Sequence, residues 1–379
     1  MDLNPEPTGQ SEDKAHISIS GRLMSIDALR GFDMFWIIGG GVIIASLDKI
    51  FNHPATAFLK QQLNHVEWQG FRFEDLIMPL FLFIVGAAMP FSFNKRLAKG
   101  SSKKQIYFHI ARRVIILWVL GMMIQGNLLS YDLSKLKIYS NTLQAIAAGY
   151  LFASIIILQF KIRWQLVTTG GLLLLFWALM EWVPVPGYGA GVLTEEGNPA
   201  IYIDNLVLGR FSDGLSYTWI LSSITFTTTV MLGVIAGHLL RSQKTQGVKT
   251  LGLFTVGISS LLLGMVWDIW FPIIKHLWTS SFVLFSGGLC YLLLAVFYLV
   301  IDVWGFKKWA FGFVVIGMNA IAVYTATKMF DFRKIADVFV GGLTERLGNC
   351  NDLIRAVIAL TIVWLILYWM YRKKTFIKI

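Results

Sequence analysis

Residues 75–93 read DLIMPLFLFIVGAAMPFSF, and no charged side chain follows the opening aspartate. A helix needs about 20 apolar residues to cross the hydrocarbon core of a bilayer, so this stretch has the length of a transmembrane helix. Stretches of the same character lie near residues 27–48, 110–129, 141–160, 164–183, 219–240, 250–270, 281–301, 309–328 and 353–371. Transmembrane strands would instead be about ten residues long and alternate in polarity. The sequence therefore predicts an all-α integral membrane protein, a polytopic bundle of about ten transmembrane helices.

The composition indicates the same class of protein. Hydrophobic residues make up 56% of the chain and charged residues 15%, with a mean hydropathy of +0.63. A soluble domain has about 25% charged residues. Helices of about 20 residues use so much of the chain that only short loops remain. We therefore predict a cytoplasmic N-terminal tail over residues 1–21 and one transmembrane domain over residues 22–379.

The net charge of +11 does not indicate nucleic-acid binding. A nucleic-acid-binding domain concentrates Lys and Arg on one face or motif of a soluble segment. Here the basic residues stand in short runs between apolar stretches, as in membrane proteins that obey the positive-inside rule. The expected partners are membrane lipids rather than nucleic acid.

The distribution of basic residues predicts the orientation. If the N-terminus is cytoplasmic, 21 of the 33 Lys and Arg residues fall on the cytoplasmic side and 12 on the other side. Seven of them lie in the loop over residues 95–113, and the C-terminal tail adds Arg372, Lys373, Lys374 and Lys378. Both termini are therefore predicted to be cytoplasmic, with the long loops 49–74 and 184–218 outside. The segment 328–355 looks amphipathic and is predicted to lie along the interface.

The first outer loop ends with a candidate catalytic site. It reads Leu63-Asn-His-Val-Glu-Trp-Gln-Gly70, and Asp75 opens the next span. Imidazole titrates near neutral pH, so His65 can accept a proton from a substrate, and Asp75 can orient the ring. Alternatively, His65 and Trp68 are interface anchors and Asp75 caps a helix. The residues alone favour this structural interpretation.

Polar residues also stand inside the first predicted span. Asp27 and Arg30 are three residues apart and share a helix face, which predicts a structural ion pair. Asp33 lies deeper in the apolar stretch. Because an unpaired carboxylate is costly there, we expect Asp33 to meet a partner within the bundle.

Two amides lie within later apolar runs, Gln144 and Asn319. Either a hydrogen bond between helices or a functional role explains them, and both interpretations stay open. The sequence contains no HExxH, Walker, paired CxxC or GxSxG motif. No metal is therefore expected.

Several motifs follow one another from residue 22 to the C-terminus. They are Arg22-Leu-x-Ser-Ile-Asp-x-x-Arg-Gly31, His65-x-x-Trp-x-Gly70, Asp75-Leu-x-x-Pro79, Val183-Pro-Val-Pro-Gly187, Tyr202-Ile-Asp204, Leu277-Trp278, Gly317-Met-Asn319 and Tyr371-Arg-Lys-Lys374. In this order the chain resembles the heparan-α-glucosaminide N-acetyltransferase family of membrane acyltransferases.

The resemblance implies a ten-helix core that takes acetyl-CoA from the cytoplasm and acetylates an amino sugar on the far side. It implies that His65 is catalytic and that the protein forms a homodimer. Lysosomal members carry an additional luminal domain, so the chain looks like the shorter bacterial relatives of an inner membrane. The chain departs from the lysosomal pattern in two places. It reads Ile37-Ile-Gly-Gly-Gly41 where lysosomal members have an asparagine. It has Ala145 after Gln144, where lysosomal members have an arginine after the glutamine.

The predicted function is therefore a membrane acetyltransferase with acetyl-CoA as donor and a glucosamine-type amine on the periplasmic side as acceptor. His65 serves as general base or carries the acetyl group, and Asp75 orients it. The predicted substrate or acetyl-CoA channel comprises Asn64, Trp68, Asp27, Arg30, Asp33, Gln144, Trp278 and Asn319. The alternatives are a glycan transporter or flippase without chemistry and an O-acyltransferase with a hydroxyl acceptor.

Overall fold

The computed structural model describes residues 23–214, 217–344 and 347–377. The predicted tail 1–21 and Arg22 of the first motif lie outside the described residues. Within the described ranges the regular structure is helical, apart from isolated bridges that join Gln69 to Ile274 and Val185 to Gly189. The predicted all-α fold is confirmed.

The helices define the architecture. In chain order they are α1 (Met24–Phe35), α2 (Gly41–Phe51), α3 (Pro54–Gln62), α4 (Glu74–Ala98), α5 (Lys103–Ile124), α6 (Thr142–Gln159), α7 (Ile162–Trp182), α8 (Pro199–Leu208), α9 (Ser223–Arg241), α10 (Gln246–Asp268), α11 (Ser280–Phe297), α12 (Phe311–Gly317), α13 (Ala320–Met329), α14 (Phe332–Thr344) and α15 (Asn351–Arg372). Among the described residues nine helices are long and apolar enough to cross a membrane, with α1 and α2 joined into one through a π turn. A tenth span is made if the bent pair α12 and α13 is counted.

The ninth predicted span, 309–328, is not one helix. Helices α12 and α13 meet at 74°, and Asn319 between them leaves the helical conformation. Its side chain donates to the Thr375 carbonyl oxygen at 3.2 Å and accepts from the Ile377 backbone N–H at 2.9 Å. The segment that follows α15 is thus bound at the break, a long-range contact that hydropathy does not report.

Helices α4 and α9 form the centre of the bundle, since most of each is buried inside the protein. They approach so closely that a side chain at Gly86 would lie 1.9 Å from the Val230 carbonyl oxygen, and one at Gly233 would lie 2.0 Å from the Phe83 carbonyl oxygen. Small residues permit this backbone contact in membrane helices. The start of α4 is therefore anchored in a rigid core.

Three loops gather at the end of the bundle where α4 begins. The Trp68 indole donates to the Leu193 carbonyl oxygen at 3.0 Å, and the Gly70 N–H donates to that of Ile273 at 2.9 Å. The Thr218 N–H donates to the His276 carbonyl oxygen at 3.0 Å. The predicted outer loops thus share one end with the segment before α11.

The predicted amphipathic segment contains a helix, α14. Its side chains Val338 and Phe339 are exposed. An apolar surface of this kind is typical of a helix that lies in a membrane interface. Its position along the interface stays a prediction.

Candidate active site

His65 and Asp75 are in direct contact. The His65 Nδ1 lies 2.9 Å from Asp75 Oδ1. The Asp75 side chain is 2% exposed, whereas that of His65 is 47% exposed. The predicted pair is therefore formed, with a buried carboxylate that holds a ring open to solvent.

The loop backbone fixes the Asp75 carboxylate. Its Oδ2 accepts hydrogen bonds from the backbone N–H groups of Arg72, at 3.0 Å, and Val66, at 3.4 Å. The Arg72 guanidinium in turn donates to the His65 carbonyl oxygen at 3.0 Å. Gly70 adopts φ 113, a left-handed conformation that glycine accepts without strain. These contacts fold the loop so that His65 lies over the first turn of α4.

Lys275 completes the cluster, although sequence analysis did not include it among the site residues. Its Nζ lies 3.0 Å from His65 Nδ1 and 3.2 Å from Asp75 Oδ1, and its side chain is 8% exposed. Burial lowers the pKa of Lys275, and the Asp75 carboxylate opposes this shift. The signal in the sequence was its place in the polar segment before α11, but its partners are about 200 residues away.

The geometry constrains the His65 tautomer. One ring nitrogen carries either a hydrogen or a lone pair, so Nδ1 can donate to Asp75 or accept from Lys275, but not both. An ionised Asp75 accepts hydrogen bonds only, which favours a proton on Nδ1. The Nε2 lone pair is then free to act as a base or a nucleophile.

Aromatic side chains cover this cluster. The His276 ring stacks on Tyr217 with centroids 4.1 Å apart and meets Trp68 edge-on at 5.3 Å. Burial, with the neighbouring Lys275 charge, lowers the pKa of His276 to about 4, so this ring is neutral at neutral pH. Burial raises the pKa of Tyr217 to about 12. Neither residue was among the predicted site residues.

Asp204, from the Tyr202-Ile-Asp204 motif, supports the opposite wall. It is fully buried and accepts hydrogen bonds from the backbone N–H groups of Trp219, at 2.7 Å, and Ile220, at 2.9 Å. Burial raises the pKa of Asp204 to about 6. The carboxyl group therefore fixes the backbone at Trp219 and Ile220.

Two adjoining cavities share part of their walls, and His65 lines one of them. The His65 cavity has a volume of about 320 Å³, and its walls include His65, Lys275, Glu74, Tyr217, Trp219 and Asn141. The Asn64 groove has a volume of about 850 Å³, and its walls include Asn64, Lys60, Glu74, Lys328, Arg333 and Ala359. Trp36, Ile37, Glu74 and Lys328 line both. The cavity that His65 lines therefore adjoins a groove that runs along α2.

Among the remaining predicted channel residues, Asp27, Arg30 and Asp33 line neither cavity. Asp27 and Arg30 form the expected pair at 3.4 Å. Asp33 is fully buried, and neither of its carboxylate oxygens has a hydrogen-bond partner among the described residues. The expectation that a side chain of the bundle pairs with Asp33 is therefore wrong for the part of the chain described. The Glu74 carboxylate acts on Asp33 through space, without a hydrogen bond.

The two amides and Trp278 have structural contacts. The Gln144 carboxamide oxygen accepts from the Ser140 N–H at 2.8 Å and from Asn141 at 3.1 Å, which fixes the start of α6. Asn319 holds the segment after α15. Trp278 is buried in the core and donates to the Thr229 hydroxyl at 3.0 Å. None of these three side chains lines the His65 cavity or the Asn64 groove.

Comparison with known proteins agrees with the motifs. A family model described as a domain of unknown function (DUF5009) matches residues 22–183. The chain is 27% identical to human heparan-alpha-glucosaminide N-acetyltransferase over 94% of its own length and 60% of that enzyme. It is 27% identical to the mouse enzyme over 83% of its length and 56% of that enzyme. The chain thus spans less than two thirds of these relatives, and over most of its length it is similar to the heparan-alpha-glucosaminide N-acetyltransferases, as the motifs predict.

Proposed function

We propose that this multi-pass membrane protein is an acetyltransferase that moves an acetyl group from acetyl-CoA to the amine of a glucosamine-type sugar. The observation that carries the proposal is the His65–Asp75–Lys275 cluster, whose ring opens into the His65 cavity. The names of the human and mouse relatives support the reaction and the acceptor class.

The bonds and protons of the reaction balance as follows. The amine nitrogen attacks the thioester carbonyl, a C–N bond forms and the C–S bond breaks. An acceptor that arrives as an ammonium ion loses two protons, one of which ends on the CoA thiol and one in solvent. His65 Nε2 takes a proton from the attacking amine, or first accepts the acetyl group and then passes it on.

The neighbours of His65 have distinct roles in this chemistry. Asp75 orients the ring and stabilises its cationic form, as the carboxylate of a catalytic triad does. Lys275 compensates the Asp75 charge, so the cluster as a whole is close to neutral while the imidazole is neutral. The added cation also disfavours a long-lived imidazolium, which helps His65 to release its proton or acetyl group.

The donor and acceptor are proposed to enter from opposite sides. The excess of basic residues between 95 and 113 supports a cytoplasmic end at the start of α5, where anionic CoA is available. Asp27, Arg30 and this loop are candidates for contact with the nucleotide end. The His65 loop then faces the periplasm of a bacterial inner membrane, and the thioester reaches it through the bundle.

The proposal is tested by transfer of radiolabelled acetyl from acetyl-CoA to glucosamine with purified protein in detergent. We expect wild type to label the sugar, and His65→Ala to lose about 10²–10⁴-fold in rate. His53→Asn is the matched control, because His53 is exposed in the same loop region and its ring caps α3, a role that asparagine keeps. Transfer that survives His65→Ala would make His65 an interface residue.

A further inference from the structure

Glu74 occupies the junction of the two cavities. It is the first residue of α4, is partly buried, and lines both the His65 cavity and the Asn64 groove. In the described part of the chain no hydrogen bond or ion pair holds its carboxylate. Asp75, the next residue, has its oxygens bound by His65, Lys275 and the loop backbone. Glu74 is therefore the carboxylate left open to a ligand.

The charges around the cavity favour a cationic ligand at Glu74. Among the described residues that line the His65 cavity, Glu74 is the only carboxylate. Lys275 is already committed to Asp75 at 3.2 Å. His65, Lys275 and Lys328 act on Glu74 through space without a hydrogen bond or ion pair, and the Asp75 and Asp33 carboxyl groups oppose them. Lys328 is exposed, so water and salt screen its charge.

Aromatic walls strengthen this preference. Three aromatic residues, Trp36, Tyr217 and Trp219, line the same cavity. The faces of aromatic rings attract ammonium groups, and a wall of low polarity increases the attraction between opposite charges. A hydroxyl group in the same position carries no charge and would leave the partly buried Glu74 carboxylate uncompensated.

We propose that Glu74 holds the ammonium group of the acceptor and thereby makes the site select an amine over a hydroxyl. This inference rests on the proposed acetyl transfer and deepens it, because it separates an N-acetyltransferase from an O-acetyltransferase. Glu74 adjoins Asp75, so an ammonium bound there lies at the wall of the cavity that His65 shares. Selectivity of this kind arises because a site built for one polar group loses a partner when the analogue lacks it.

The test compares Glu74→Gln, which removes the charge and keeps the shape, with Glu74→Asp, which keeps the charge. Glu67→Gln is the matched control, since Glu67 is exposed on the same loop and lines neither cavity. Steady-state transfer to glucosamine gives KM and kcat, and glucose serves as the competing neutral analogue with a hydroxyl in place of the amine. We expect Glu74→Gln to raise the KM for glucosamine at least tenfold while the inhibition constant of glucose changes less than threefold.

The pH dependence gives a signature that a structural role would not produce. The lower KM for glucosamine of wild type relative to Glu74→Gln should disappear as pH rises through the titration of the glucosamine amine, since Glu74 attracts only the ammonium form. Glu74→Asp should retain part of the selectivity, and Glu67→Gln all of it. The inference is overturned if Glu74→Gln leaves the KM for glucosamine unchanged, or if it weakens the binding of glucosamine and of glucose to the same extent.

Direct binding separates this inference from the proposed reaction. Isothermal titration of wild type and Glu74→Gln with glucosamine and with glucose needs no turnover. Preferential binding of glucosamine by wild type that is lost in Glu74→Gln supports the role of Glu74 even if no acetyl is transferred. Equal binding of the two sugars by wild type contradicts it, whatever the transfer assay gives.

Discussion

Two buried aspartates of this bundle contrast sharply. The Asp75 carboxylate contacts His65, Lys275 and two backbone N–H groups at the start of α4. The Asp33 carboxylate, in the second half of α1, has no hydrogen-bond partner within the described ranges. The sequence singled out Asp75 as a partner for His65 and Asp33 for its place inside an apolar stretch. Burial alone therefore does not identify a site, whereas a complete set of partners does.

The difference has a physical meaning. The groups that bind the Asp75 carboxylate are in place without a substrate, so the direction of the His65 ring is set in advance. Asp33 lacks such support, and the free energy of unfolding therefore carries the penalty of a lone buried carboxyl group. Substitutions that remove each charge in turn should separate the two cases.

The largest effect is expected from Asp75→Asn. The Asn NH₂ group can donate to Nδ1 and thereby place the ring proton on Nε2, the wrong tautomer for a base. We expect the rate of acetyl transfer to fall about 10³–10⁴-fold, as when a triad carboxylate is replaced by an amide. Steady-state assays with glucosamine measure it, with Asp132→Asn, whose side chain is 41% exposed, as control. A rate within threefold of wild type would contradict the assigned role.

Lys275→Met tests the charge balance of the same cluster. The substitution leaves the buried Asp75 without its countercharge, which costs about 3–5 kcal/mol when one partner of a buried pair is removed. We expect a lower apparent melting temperature in detergent. The double variant Lys275→Met/Asp75→Asn should recover part of the loss, because the two residues interact. Simple addition of the two single losses would show that the pair does not couple.

The lowered pKa of His276 predicts how the stability of the protein responds to acid. Its pKa is lowered to about 4 in the folded protein from an ordinary value of 6.5, so the unfolded chain binds more protons between these pH values. The stabilisation that neutral His276 provides is therefore complete above about pH 6.5 and is lost as pH falls toward 4. His276→Gln should flatten the difference between melting curves recorded at pH 7 and pH 5. An unchanged acid response in that variant would rule out His276 as its source.

Asp33→Asn should have the smallest effect. The amide replaces a buried carboxyl group that has no described hydrogen-bond partner, so the free energy of unfolding should change by less than about 1 kcal/mol or increase. The same melting assay compares it with Asp75→Asn. An equally large fall in melting temperature in both variants would contradict the difference between the two aspartates.

The sequence predicted the features that follow from local chemistry. Apolar stretches located the membrane-length helices because lipid requires about 20 such residues in a row. The pair of His65 and Asp75 was predictable since only one loop separates them. The pairing of Asp27 with Arg30 follows from helix geometry in the same way.

Contacts between distant segments could not be predicted. Lys275 reaches His65 across more than 200 residues, and only the folded bundle brings its loop to α4. For Asn319 the sequence left a hydrogen bond between helices and a functional role open, whereas the structure places it at a helix break, bound to the backbone after α15. Gln144 likewise bonds its own loop rather than a substrate path. An amide in an apolar run has several ways to satisfy its hydrogen bonds, and the sequence does not choose between them.

The most direct test of the His65 centre uses protein reconstituted in vesicles, with labelled acetyl-CoA on the cytoplasmic side and glucosamine on the other. Wild type is predicted to label glucosamine across the membrane, and His65→Ala in the same vesicles is predicted to leave it unlabelled. Label that accumulates equally with His65→Ala would contradict the account, because transfer would then proceed without the ring that Asp75 and Lys275 hold in place.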